Sequence, residues 1–138
     1  MKNSDLCVRE VLVAPPETFV RSAAQRMGES AVGSLVVVDA LRRPLGIVTD
    51  RDLVVRCLAP GKNPERTRLK DVMSGPPAWV REDGSAEAAI DEMARLRVRR
   101  LPVVDERDRL VGILALDDVI LAELPPDSLV VRALRANV

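Results

Sequence analysis

Thr49 and Asp52 stand three residues apart in Gly46-Ile47-Val48-Thr49-Asp50-Arg51-Asp52, where an apolar run gives way to a helical pattern. A hydroxyl beside the unpaired amides of a helix start suits a phosphate, and a carboxylate suits the two hydroxyls of a ribose. Gly46 is small where backbone needs close approach. The same residues have a purely structural reading. Thr49 or Asp50 caps the helix, and Asp52 is a first-turn acid favoured by the helix dipole.

Other chemistries find little support in the 138 residues. There is no histidine to act as general base, and two cysteines, Cys7 and Cys57, have no activating partner nearby. That inventory also builds no zinc site of the usual kinds. Free packed thiols are expected for both cysteines, because the start Met1-Lys2-Asn3-Ser4-Asp5 lacks a secretion signal. Twenty-one cationic residues balance twenty-one acidic ones, and Trp79 and Phe19 are the only aromatics. A neutral chain without stacking platforms argues against a nucleic-acid partner. No apolar run reaches the roughly 20 residues that cross a bilayer, so no membrane association and a cytoplasmic location are expected.

The elements that must position the heptapeptide repeat. At an offset of 66 residues, Thr18–Leu58 aligns without a gap on Gly84–Leu124. Ala23, Met27 and Val32 fall on Ala89, Met93 and Val98; Leu35 and Val37-Val38-Asp39 fall on Leu101 and Val103-Val104-Asp105. Gly46-Ile47 falls on Gly112-Ile113 and Asp52 on Asp118. The chain is two copies of one unit. The expected organisation is repeat one at 6–60, a Pro/Gly-rich charged linker at 61–68, repeat two at 69–125 and a C-terminal helix at 126–138.

Within copy one, apolar spacing predicts a short helix over Leu6–Leu12, extended Val13-Ala14 and a turn at 15–18 with Thr18 as cap. A helix over Phe19–Glu29, a hairpin of Leu35–Val38 and Leu45–Val48, and a helix over Asp50–Leu58 follow. Copy two predicts a short helix over Leu69–Met73, a turn at Gly75-Pro76-Pro77 and extended Ala78–Val80. Ser85 caps a helix over Ala86–Leu96, a hairpin joins Leu101–Val104 to Leu110–Leu114, and a helix runs to about Leu124. A last helix, Ser128–Ala136, shows Leu129, Val130, Ala133 and Leu134 on its apolar side. The linker, with Lys62, Arg66 and Arg68, reads as a solvated loop. Each unit of about 60 residues has more apolar surface than it can cover alone, so the two are expected to pack sheet to sheet about a pseudo-twofold axis.

This pattern resembles a tandem pair of cystathionine β-synthase (CBS) domains, a Bateman module, over about Leu6–Leu124. The resemblance rests on Leu-Val-Val-Val-Asp at 35–39, Leu-Pro-Val-Val-Asp at 101–105, Gly-Ile-Val-Thr-Asp-Arg-Asp at 46–52 and the Ala/Met pairs 23/27 and 89/93. The stretch Thr49–Pro64 is further similar to small stand-alone bacterial two-CBS proteins, including hypoxic-response proteins. The resemblance implies an α/β (α+β) fold of two β-α-β-β-α repeats and discs that dimerise. Adenosine ligands (AMP, ADP, ATP or S-adenosylmethionine) would occupy clefts between the repeats.

In the family's motif a Thr or Ser supplies a phosphate-side hydroxyl and an Asp binds ribose. Here it is complete only at Gly46, Thr49 and Asp52, since Ala115 replaces the hydroxyl residue between Gly112 and Asp118. Family geometry also places the start of the first hairpin strand by the phosphates: uncharged Gly33 and Ser34 in copy one, Arg99 and Arg100 in copy two. The expected adenine contacts are Met73, Ala78 and Val98 for the first site, with Val32 serving the Asp118 site. The reading is a regulatory module that senses an adenine nucleotide, with no enzyme activity and a separate regulated protein. The alternative is a nucleotide-independent homodimeric interaction or stress-response scaffold.

Overall fold

The computed structural model describes residues 1–74 and 78–137, so the turn expected at Gly75-Pro76-Pro77 lies outside the described residues. In the first repeat, helix α1 (Asn3–Leu6) and strand β1 (Val13–Ala14) lead into helix α2 (Val20–Ser30). The hairpin β2 (Ser34–Val38) and β3 (Pro44–Thr49) then feeds α3 (Asp50–Leu53), which widens into a π-helical turn over Val54–Leu58. The second repeat has a 3-10 turn (Leu69–Asp71), β4 (Val80–Arg81), α4 (Ala86–Leu96), β5 (Arg100–Val104), β6 (Leu110–Ala115) and α5 (Leu116–Glu123); α6 (Leu129–Ala136) follows.

Each repeat makes a three-stranded sheet, β1-β2-β3 and β4-β5-β6, its outer pair parallel across a crossover helix and its inner pair an antiparallel hairpin. Strand side chains alternate between two buried faces. Leu35, Val37 and Val48 pack under the helices of repeat one, and their counterparts Leu101, Val103 and Leu114 under those of repeat two. From the opposite faces, Val36, Val38 and Ile47 meet Leu110 and Ile113 in a third apolar layer between the sheets. The pseudo-twofold, sheet-to-sheet packing read from the repeat is therefore present.

The repeats also exchange their leading segments. Asn3 and Ser4 donate backbone N–H to Gly84 and Glu82 of repeat two, both at 2.9 Å, while Leu69 and Lys70 donate to Thr18 and Pro16 of repeat one at 2.9 and 3.0 Å. Leu69, Val72 and Met73 accordingly belong to the first core, and Leu6 and Cys7 to the second. This exchange corrects several sequence expectations. No helix continues to Leu12, because Val8 instead pairs with Ile113 (N–H to O, 2.8 Å, and 2.9 Å in return). Thr18 is not a side-chain cap; α2 is closed by backbone, with Val20 N–H donating to Thr67 and Arg21 N–H to Pro64. The linker is therefore packed rather than loose at its end, with Thr67 and Leu69 buried, while Lys62 and Arg66 are exposed.

Two helical expectations also shift. The helix expected over Asp50–Leu58 is α-helical only to Leu53. In the π turn Cys57 faces the core, and Val54, Val55 and Leu58 stand about half exposed. In α6, capped by Ser128 as Val131 N–H donates to its Oγ, Val131 is the buried residue, and Leu129 and Val130 face solvent. Both cysteines are free thiols.

The two hairpin turns are closed alike. Asp39 accepts from Leu41 and Arg43 amides (3.0 and 2.8 Å) and from Arg43 Nε (2.7 Å). Asp105 accepts from Arg107 and Arg109 amides (2.8 and 3.0 Å) and from Arg109 Nε (3.1 Å). The Arg43 and Arg109 amides are the first cause holding these carboxyls below the usual aspartate range. A depressed carboxyl adds stability that is complete above its unfolded pKa and lost as pH falls through the folded value. Urea midpoints should therefore fall on acidification below about pH 4. That fall should be shallower in the double variant Asp39→Ala/Asp105→Ala, measured from pH 7 to pH 3.

Gly46 and Gly112 lie where the exchanged segments cross. A Cβ at Gly46 would stand 2.7 Å from Ser74 O, and one at Gly112 2.6 Å from Val8 O, both rigid backbone atoms. Gly46→Ala and Gly112→Ala should each destabilise by about 1–3 kcal/mol through overpacking. The urea midpoint should drop with the m-value unchanged.

Candidate functional site

A cleft of about 890 Å³ opens between the repeats, with a floor formed by Gly46 and Thr49 from β3 and Asp52 from α3. Ser74 crosses beneath it, and Ala78, Trp79, Val98, Arg99 and Arg100 come from repeat two. This volume suits a ligand of nucleotide size. Arg97 ends α4 in a left-handed conformation (φ 57°), which turns the chain so that residues 97–100 run along the cleft.

Thr49 and Asp52 form a complete capping box. Asp52 N–H donates to Thr49 Oγ1 at 3.1 Å, and Thr49 N–H donates to Asp52 Oδ2 at 2.9 Å. The structural reading of the heptapeptide is thus observed, and it leaves the ligand chemistry intact. The cap uses one acceptor position on the hydroxyl and one carboxylate oxygen; the hydroxyl proton and Asp52 Oδ1 remain for other partners. Arg56 Nε stands 3.8 Å from Asp52 Oδ1.

The other expected site residues divide between this cleft and elsewhere. Ala78 and Val98 line it. Met73 packs against the first core, its Sδ 3.3 Å from where a Gly46 Cβ would stand. Arg99 and Arg100, expected at the start of the first hairpin strand of copy two, line the Thr49/Asp52 cleft. They also stand beside the start of α5, where Arg100 pairs with Ala115 across the hairpin and Leu116 N–H donates to Arg99 O at 2.9 Å. Arg99 Nη2 donates to Asp117 Oδ1 at 3.0 Å. Asp118, at the start of α5, does not line this cleft; it accepts from Ala115 N–H at 3.1 Å, with no side-chain hydroxyl to complete the box. Burial, helped by neighbouring Asp117, pushes its carboxyl up against the pull of the Ala115 amide and Arg100. Val32 is partly exposed at the end of α2. Cys7 lies beside Gly112, and burial raises its thiol pKa, which keeps it protonated at neutral pH.

Arg51 and Arg97, not among the site residues expected from the sequence, also line the cleft. The signal was the run Arg97-Val98-Arg99-Arg100, where copy one has Ala31-Val32-Gly33-Ser34. Arg95, also in the lining, is paired with Glu92, but Arg51, Arg97 and Arg100 make no ion pair among the described residues. Arg51, Arg95, Arg97, Arg99 and Arg100 stand in the lining against Asp50, Asp52 and Glu92, so positive charge is in excess there. Among the described residues no three His, Cys, Asp or Glu side chains gather to hold a metal, and no helix is long and apolar enough to cross a membrane.

Comparison with known proteins fits this geometry. An uncharacterised protein of Methanopyrus kandleri is 36% identical over 115 residues, which is 83% of this chain; the match spans 59% of that relative's length. The crystal structure of hypoxic response protein I with two coordinated zinc ions superposes with a TM-score of 0.80 at 30% identity, covering 91% of this chain and all of that one. The cytosolic domain of the Mg2+ channel MgtE in complex with ATP superposes with a TM-score of 0.74 at 30% identity, covering 86% of this chain and 47% of that one. The CBS domain family matches residues 4–58 and 69–125. With both of its repeats matched, this chain belongs to the CBS domain family as a tandem pair.

Proposed function

We propose that the protein is a regulatory module, not an enzyme, that senses an adenine nucleotide held in the cleft between its repeats and acts on a separate protein. The observation that carries this reading is the cleft itself. It brings the free oxygen of Asp52 and the Thr49 hydroxyl from one repeat to the arginines of the other. In this reading Asp52 Oδ1 accepts from ribose hydroxyls and the Thr49 hydroxyl donates to a phosphate oxygen. Arg51, Arg97 and Arg100 hold the phosphates, and Ala78 and Val98 flank the base. A ligand bridging both repeats favours whichever arrangement closes them upon it. The related MgtE domain was solved with ATP, which supports an adenine nucleotide here.

The excess of arginine in the lining selects among the adenosine ligands. Phosphates are attracted to them, and the sulfonium of S-adenosylmethionine is repelled. Trp79 lines the cleft and reports occupancy by its fluorescence. ATP and ADP should bind at least about tenfold more tightly than S-adenosylmethionine at low salt, with the gap narrowing as screening rises. Asp52→Ala should weaken ATP by at least about tenfold, roughly 1.4 kcal/mol. One equivalent per chain is expected, and Asp118→Ala should leave it unchanged. A flat titration with ATP, checked by calorimetry, would sink the sensor.

The alternative, a nucleotide-independent homodimeric scaffold, draws on one observation. Val54, Val55 and Leu58 leave apolar surface on the π turn. Sedimentation should show a dimer that Leu58→Glu converts to monomer; a dimer in the absence of any nucleotide response would favour this reading.

A further inference from the structure

We propose that Arg56, on the π turn, is a positioning residue that braces Asp52 against the exchanged segment of repeat two; this rests on the nucleotide reading above. Its guanidinium reaches from Asp52 to the strap of repeat two. Nε stands 3.8 Å from Asp52 Oδ1, while Nη1 donates to Met73 O at 3.1 Å and to Val72 O at 3.4 Å. Asp52 is the ribose carboxylate of the proposed site. Val72–Ser74 is the strap that crosses under Gly46 and leads toward Ala78 and Trp79.

The two straps of the molecule differ in how they are held. On repeat two, Val8 and Ile113 exchange two backbone hydrogen bonds of 2.8 and 2.9 Å. On repeat one, Ser74 and Ile47 form the corresponding antiparallel bridge, but its bond from Ser74 N–H to Ile47 O is longer, at 3.2 Å. Arg56 adds a side-chain attachment to this looser strap through the carbonyls of Val72 and Met73. Its counterpart at the 66-residue offset is Ala122, which has no group to donate. The brace is therefore a property of one cleft, the one that carries Thr49 and the arginines. An arginine suits this task because its rigid fork presents several donors at fixed angles.

Holding the strap and Asp52 at set spacing before a ligand arrives lowers the ordering cost of binding. A ribose that engages Asp52 Oδ1 also changes the partners of Arg56, so occupancy is felt at the strap between the repeats. Arg56 is half exposed, which makes its replacement compatible with folding.

The test compares the wild-type chain with Arg56→Ala and Arg56→Lys, using Trp79 fluorescence for ATP affinity and amide hydrogen exchange for the straps. Arg56→Ala should weaken ATP by about fivefold through lost preorganisation. It should also speed Ser74 amide exchange by about tenfold while Val8 exchange stays as in wild type. Arg56→Lys should recover part of both effects, with urea midpoints reporting that each variant is folded. ATP binding by wild type with unchanged affinity and unchanged Ser74 exchange in Arg56→Ala would overturn the brace and leave the nucleotide site standing. No ATP binding by wild type would overturn both.

Discussion

Everything in this molecule depends on the apolar layer between its two sheets. Val36, Val38 and Ile47 of one repeat have no cover of their own, since helices pack only on the opposite face of their sheet. Leu110 and Ile113 of the other repeat are in the same position. Burying such side chains is worth about 1.5–3 kcal/mol each relative to water, which is large beside the net stability of a small domain. Neither repeat can keep that face wet, so they associate. The exchange of leading segments then threads each repeat through the other, with Leu69 and Val72 in the first core and Leu6 and Cys7 in the second.

The cleft is a consequence of that packing. Two twisted sheets meeting face to face leave space at their ends, lined by the first residues after the first hairpin and by those leading into the second. Glycine at 46 and 112 is the condition for the crossing segments to lie close against β3 and β6. The same junction is a helix start, so the Thr49 and Asp52 side chains serve the cap and face the cleft together. Cap and ligand roles do not compete, because a carboxylate and a hydroxyl have more hydrogen-bonding capacity than one helix end consumes.

The pseudo-symmetry holds in the sheets and turns and is broken in side chains. It also gives way in the helix after each hairpin, a π turn at Val54–Leu58 against an α-helix at Leu116–Glu123. Asp39 and Asp105 close their turns alike, and helices α2 and α4 both end on a left-handed residue, Ala31 and Arg97. Charge breaks the symmetry. Ala115 stands for Thr49, Ala122 for Arg56, and Arg99-Arg100 for Gly33-Ser34. Function in a duplicated fold is argued from such departures, since the shared residues are already explained by the shared core.

The repeat, the hairpins, the Ser85 cap and the helix over Ala86–Leu96 were legible in the sequence, because each rests on local periodicity or on a side chain reaching its own backbone. So were Thr49 and Asp52 as a pair, three residues apart on one helix turn. Tertiary structure decided what lies across a gap. Val8 leaves its helical pattern because Ile113 offers a backbone partner, and Val131 rather than Leu129 is buried because of what α6 meets. The arginines of residues 97–100 line the Thr49 cleft for the same reason, although Arg99 also pairs with Asp117 beside Asp118. Spacing along one strand or helix specifies which side chains share a face; which face they then oppose is set by the association of two repeats, and no single segment encodes that.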